Sequence, residues 1–213
     1  MGAIKFLNGM GQDQPLLLLL MIAAALMVAK WWLDDYRATG RGSPPERALP
    51  GATPAPVAAT VLAAAGALVL LGAETWGEHA LGISGEQSRI TVLFGLYTLA
   101  AACVEELIFR GYLVATGRGR TFLVGGIVAA SAVFALLHPF LWEWSEGALH
   151  WRGGTKAWFS TGAVFAGSLW FYFVRFMPLN PRHSLLPCVA AHAAKNLGVL
   201  AIKCAQGFVS GWW

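Results

Sequence analysis

Long apolar runs separated by short polar segments set the pattern of this chain. They cover Leu16 to Ala29, Val57 to Ala73, Ile90 to Val114, Thr121 to Trp142, Ala157 to Met177 and Ser184 to Ile202. A helix needs about 20 mostly apolar residues to cross the hydrocarbon core of a bilayer. The pattern therefore predicts an all-α, polytopic membrane bundle of six transmembrane helices. It shows neither the alternating strands of an outer-membrane barrel nor an internal repeat. The flank Lys30-Trp31-Trp32 has the chemistry of a membrane interface, which predicts that the first run is a retained span and not a cleaved leader. Residues 34–56 include Pro44, Pro45, Pro50, Pro54 and Pro56, too many for a helix, and read as a loop. Glu74 to Arg89 and Glu143 to Lys156 read as polar loops, and Gly117-Arg118-Gly119-Arg120 as a tight basic turn.

Composition agrees with the pattern. The 213 residues are 57% hydrophobic and 12% charged, against about 25% charged in soluble domains, and mean hydropathy is +0.58. The expected organisation is a single membrane domain over 1–213, with a catalytic core at 90–203 and two additional spans in 1–89. A net charge of +4 does not point to nucleic acid, because Lys and Arg lie scattered between apolar runs, as in loops that face an anionic leaflet. The loops after spans one, three and five carry eight Lys and Arg against five on the other side, Lys5 among the five. By the positive-inside rule the first set faces the cytoplasm. Composition rich in Ala, Gly, Arg and Trp points to a bacterial inner membrane. Cys103, Cys188 and Cys204 sit in apolar stretches without metal-type spacing and read as packing residues.

Chemistry enters where charge interrupts an apolar run. Span three contains Glu105, Glu106 and Arg110. A charge at the bilayer centre costs roughly 2.5 to 3.5 kcal/mol on insertion scales, so three together mark a candidate site. On a helix Glu106 and Arg110 are four apart and share a face, whereas Glu105 lies about 100° round. The arginine can hold one carboxylate and leave the other to exchange protons. An aspartyl protease mechanism is excluded, since Asp13, Asp34 and Asp35 all fall outside the spans. Ser131, Ser160 and Ser168 lie in spans, but Gly167-Ser168-Leu169 lacks the second glycine of a nucleophile elbow. Span four carries Phe134 and His138, and span six carries His192 and Asn196, each pair four apart on one helix face. A histidine and an asparagine so placed can present N–H donors to an oxyanion, and a carboxylate in an apolar setting suits general acid–base work on water. His79, His150 and His183 fall in loops.

The order Glu105-Glu106-x-x-x-Arg110, Phe134-x-x-x-His138, His192-x-x-x-Asn196 resembles the CAAX prenyl protease and bacteriocin-processing (Abi, CPBP) family of glutamic intramembrane endopeptidases. The resemblance covers about residues 90 to 203. It implies that Glu105 and His138 activate water, that His192 and Asn196 stabilise the oxyanion, and that Glu106 and Arg110 support the site without a cofactor. The expected substrate is a membrane-anchored or lipid-modified protein or peptide, cut near its C-terminus from within the bilayer, with Trp142, Trp144 and Trp151 as guides at headgroup level. Two alternatives stay open: a zinc site with Glu105, His138 and His192 as ligands, and a non-enzymatic immunity factor or transporter with Glu105, Glu106, Arg110 and Lys195 as a relay. The position of His138 late in span four predicts a site reached from outside the cytoplasm. Lys195 is a departure from the motif, a cation expected to pair with an acid or to snorkel.

Overall fold

The protein is represented by a computed structural model that describes residues 14–138, 141–145 and 147–213. Lys5 and Asp13 lie outside the described residues, as does the side chain of Trp144. Six α-helices make up the described fold: α1 (Pro15–Gly40), α2 (Val57–Ala80), α3 (Val92–Glu106), α4 (Arg120–Leu136), α5 (Thr155–Phe176) and α6 (Leu186–Ala205). Helix α3 continues directly into a π-helical turn, Leu107–Tyr112. A two-stranded antiparallel hairpin, β1 (Trp142–Ser145) and β2 (Ala148–Trp151), joins α4 to α5. Helices α1, α2, α5 and α3 with its π turn are long and apolar enough to cross a membrane. Helix α4 is apolar but has 17 residues, and α6, with 20, carries His192, Lys195, Asn196 and Lys203. The expected all-α polytopic bundle stands, with four of the six expected spans meeting the length and hydropathy of a crossing helix. The protein is an integral, multi-pass membrane protein.

The element boundaries differ from the sequence pattern at several places. Asp34 and Asp35 do not begin a loop: α1 runs on to Gly40, and Lys30 pairs with Asp34 at 2.6 Å across one helical turn. Glu74 and Glu78 do not begin a loop either, because α2 runs to Ala80 and both carboxylates meet lysines from other helices. Span three is therefore not alone in carrying acids. The Glu143–Lys156 loop contains most of the hairpin, whose register pairs Trp142 with Trp151 and Glu143 with His150.

Small residues let the helices close on one another. Ala59, Ala63, Ala67 and Leu71 repeat every four residues along one face of α2, and all four are buried. Gly66 forms a notch in α2 for Trp170 of α5, whose indole N–H donates to the Ala63 carbonyl at 3.0 Å. Gly198 of α6 meets Leu71 in the same way, and Gly95 of α3 meets Leu200 of α6. The segment after α1 is tied back onto α1: Trp32 Nε1 donates to the Pro50 carbonyl at 3.1 Å, and Leu49 N donates to Asp35 at 2.8 Å. Pro50 thereby reaches Gly111 of the π turn, where a β-carbon would lie 3.1 Å from its own.

Candidate active site

The motif of span three changes helix type between its two charged ends. Glu106 closes α3, and Arg110 lies in the π turn, where the Leu113 N–H donates to the carbonyl of Ile108, five residues back, at 2.9 Å. Such turns concentrate at functional sites, since they re-aim side chains and loosen carbonyls from the ladder. Tyr172 of α5 takes up one of these, its hydroxyl donating to Phe109 O at 2.5 Å.

Arg110 and Glu106 are both 0% exposed. Arg110 Nη1 donates to Glu106 Oε1 at 3.1 Å, and its Nη2 to Ser168 Oγ at 2.6 Å; Ser168 Oγ in turn donates to Ser131 Oγ at 2.9 Å. The rings of Phe134, Tyr172 and Phe171 surround the guanidinium at 4.6, 5.0 and 5.2 Å. A buried charge persists when it is paired, hydrogen-bonded and faced by π-systems, and Arg110 has all three. Two of the three rejected serines thus have a different part: Ser168 holds the arginine and Ser131 holds Ser168. The sequence signal for them was their small polar side chains inside apolar runs, with no indication of the partner.

Glu106 Oε1 also accepts from His192 Nδ1 at 2.7 Å, while Oε2 has no hydrogen-bond partner among the described residues. The imidazole stacks on Phe171 at 4.9 Å between centroids. With Nδ1 bound to Glu106, His192 turns Nε2 toward Glu105, 3.7 Å from its Oε2. The Glu105 side chain keeps 37% of its surface accessible. The expected division between adjacent carboxylates, one held and one open, is the geometry found.

His138 belongs to the same group through Phe134, whose ring lies 4.9 Å from that of His138 and 6.1 Å from that of His192. Its Nδ1–H donates to the Phe134 carbonyl at 2.8 Å, which leaves the lone pair on Nε2. Sequence placed His138 late in a span that ran to Trp142, near its outward end, with Glu105 nearer mid-membrane. Instead α4 stops at Leu136, and Phe134 packs edge-on against Phe109 of the π turn at 4.9 Å. The end of α4 is thereby brought beside the π turn that follows Glu106.

Asn196 is held differently from the rest. Its Nδ2 donates to the Thr98 carbonyl of α3 at 2.9 Å, nearly two turns before Glu105. One of its two amide protons is thus engaged with the backbone of the helix that carries the acids. Lys195 pairs with Glu74 of α2 at 3.0 Å. Among the described residues no three His, Cys, Asp or Glu side chains form a group able to hold a metal ion.

Four separate segments therefore converge on one cluster: the end of α3 with its π turn, the end of α4, the middle of α5 and the first two turns of α6. Such a cluster offers an accessible carboxylate, two imidazoles each anchored at Nδ1 and a fixed internal cation, the parts needed to activate water against a carbonyl group. No curated protein and no solved structure matches the chain. The family model of the type II CAAX prenyl endopeptidase Rce1-like proteins matches residues 87–198, just over half of the sequence and the whole of this cluster. By that match, and by motifs that the fold gathers into one site, the chain belongs to the Rce1-like family, a family of CAAX-type intramembrane proteases.

Proposed function

We propose that the protein hydrolyses a peptide bond near the C-terminus of a membrane-anchored or prenylated protein or peptide, with Glu105 as the base. The observation that carries this reading is the contrast between two neighbouring carboxylates. Glu106 is fully buried and holds Arg110 and His192, whereas Glu105 is accessible and faces His192 Nε2 across 3.7 Å. Glu105 takes a proton from a water molecule, and His138, with its lone pair on Nε2, accepts a second hydrogen bond from that water. The hydroxide oxygen attacks the scissile carbonyl carbon, whose electron pair moves to oxygen. His192, held between Glu105 and Glu106, donates Nε2–H to this oxyanion, and the second amide proton of Asn196 supports it. Collapse of the intermediate breaks the C–N bond as the proton on Glu105 passes to the leaving amine. Glu106 and Arg110 act through His192 as positioning residues.

Three ligands in a half-open shell would support zinc chemistry at the same place. The described cluster commits His192 Nδ1 to Glu106 and His138 Nδ1 to a backbone carbonyl, and no three-ligand group forms. Bonds of this kind at Nδ1 serve metal-free activation of water and metal ligation alike, and chelation separates the two.

The test is hydrolysis of prenylated and unmodified C-terminal peptides by purified, detergent-solubilised protein. Glu105→Gln is expected to lower kcat by about 10² to 10⁴, the usual worth of a general base, and chelator to leave the wild type active. Loss of activity with chelator and recovery with zinc would move the mechanism to the metal site. Hydrolysis undiminished in Glu105→Gln would remove that residue from the chemistry.

A further inference from the structure

Arg175, near the end of α5, is a buried cation without a counterion. It is 8% exposed, and among the described residues it has no ion pair. Its Nε and Nη1 are buried and have no hydrogen-bond partner there. Burying a charge without a hydrogen-bonded partner is costly even after relaxation, and the Phe176 ring, 5.8 Å from the guanidinium carbon, offsets only part of that cost. Every other buried or half-buried cation described so far, Arg110, Lys156, Lys195 and Lys203, has an acid or an oxygen acceptor.

The backbone that carries Arg175 is tied down from the turn that follows α5. Asn180, 0% exposed, donates from Nδ2 to the carbonyls of Val174, Arg175 and Ser184 at 3.2, 3.1 and 2.9 Å, and its Oδ1 accepts from Ser184 N at 2.9 Å. This fixes the backbone under Arg175. Over its guanidinium lies Gly51, whose φ is +63° and where a β-carbon would come within 2.4 Å of Nη1. Gly51 O accepts from Leu185 N at 2.9 Å, closing the proline-rich segment onto the start of α6. The preceding residue, Pro50, packs on Gly111, next to Arg110. One short stretch of loop therefore roofs both the π turn of the active site and Arg175.

Position along α5 sets the distance of Arg175 from the Arg110 end of the cluster. Ser168, which binds Arg110, is seven residues before Arg175, roughly 10 Å at 1.5 Å per residue. Tyr172 stands between them, with its ring 5.0 Å from the Arg110 guanidinium. An extended peptide covers about 3.3 Å per residue, so this separation suits a segment of two to three residues.

We propose that Arg175 binds the free C-terminal carboxylate of the substrate, with the residues after the scissile bond lying between Glu105 and the loop at Pro50–Gly51. The inference rests on the protease reading above. A single guanidinium matches the single charge of a carboxylate. Its burial beneath Gly51 and Leu185 fits a peptide terminus that enters from the site, in preference to a lipid headgroup, which would meet a cation at the bilayer rim. The carboxylate supplies the missing counterion and the acceptors for Nε and Nη1. Substrate length after the cut is then read by the fixed spacing between Arg175 and the hydrolytic group.

The experiment compares one S-farnesylated, fluorophore-labelled peptide with three apolar residues after the modified cysteine, as the free acid and as the C-terminal amide. Binding is measured on the full chain in detergent carrying Glu105→Gln, so that affinity is read without turnover, and cleavage is measured on the chain with Glu105 intact. The free acid is expected to bind about tenfold to a hundredfold tighter than the amide, the range of a charge-assisted hydrogen bond. Adding Arg175→Gln should bring that ratio close to one, Arg175→Lys should keep part of it, and Arg182→Gln, at an exposed neighbour, should leave it intact. Equal binding of acid and amide by the chain with Arg175 overturns the proposal, whether or not the Arg175 variants fold. So does an acid preference that survives Arg175→Gln. Acid preference without cleavage of either peptide would sink the protease reading while leaving the carboxylate site in place.

Discussion

Glu105 and Glu106 are neighbours in sequence and have opposite surroundings, which separates two kinds of damage. Glu106 is the anion that neutralises Arg110 and fixes the ring of His192, all inside the bundle. Removing it leaves a buried cation unpaired, at a cost of roughly 3 to 5 kcal/mol. Glu106→Gln is therefore expected to lower the melting temperature in detergent and the yield of folded protein, with activity lost as a consequence. Glu105 is accessible and has only a 3.7 Å approach to His192, so Glu105→Gln should melt close to wild type and still be inactive. Thermal melts of both variants, beside the cleavage assay, distinguish the two. Equal melting temperatures would show that the Arg110–Glu106 pair does not hold the bundle together. The acids and the arginine were legible in sequence because charge inside an apolar run is rare. What they touch was not, because Ser168 and Ser131 come from other helices and look like ordinary small polar residues.

At the scale of elements, hydropathy located every helix and misplaced several of their ends. Glu74 and Glu78 looked like loop because carboxylates are costly in an apolar helix, yet each is offset by a lysine more than 70 positions away, Lys195 and Lys156. Pairing across that distance leaves no trace in local pattern. The π turn was equally invisible, since one extra residue in a turn hardly alters an unbroken apolar run, and its effect is to re-aim Arg110. Helix packing, by contrast, depends on features that sequence does show, the glycines and alanines of α2. Gly66 is the most demanding of these: a β-carbon there would meet the Trp170 indole at 2.1 Å. Trp170 is not a flexible chain end, because its N–H is bonded to Ala63 O. Gly66→Ala must therefore push α5 away from α2 or break that bond, and overpacking of this kind costs typically 1 to 3 kcal/mol. A lowered melting temperature is expected, with Gly72→Ala, where a β-carbon meets nothing within 4 Å, as the neutral control. Similar melting of the two variants would mean that the notch is not a tight contact in the membrane protein.

At the scale of the whole molecule, the question is whether α1 and α2, which precede the matched segment 87–198, are appendages or part of the enzyme. Helix α2 lies against α6, and Glu74 pairs with Lys195 at 3.0 Å, the two side chains 18% and 11% exposed. Lys195 adjoins Asn196 and follows His192 by three residues, so the ion pair fixes the turn of α6 that presents both donors to the site. The ammonium also sits within 3.4 Å of where a β-carbon on Gly167 would be, beside Ser168, which bonds Arg110. A cation that the family motif does not require is thus a strut between α2, α5 and α6. Glu74→Gln removes the attraction without altering shape and is expected to lower kcat several-fold with KM little changed, since the donors proposed for the oxyanion move while the rest of the binding path does not. Glu74→Lys and Lys195→Glu should each be worse, because a like-charge pair then faces itself in a half-buried junction. Combined, the two reversals restore an ion pair of opposite polarity and should recover most of kcat, a coupling that a double-mutant cycle measures directly. Additive losses in the double variant would show that the pair does not act as a unit and that α2 supports the site by apolar packing alone.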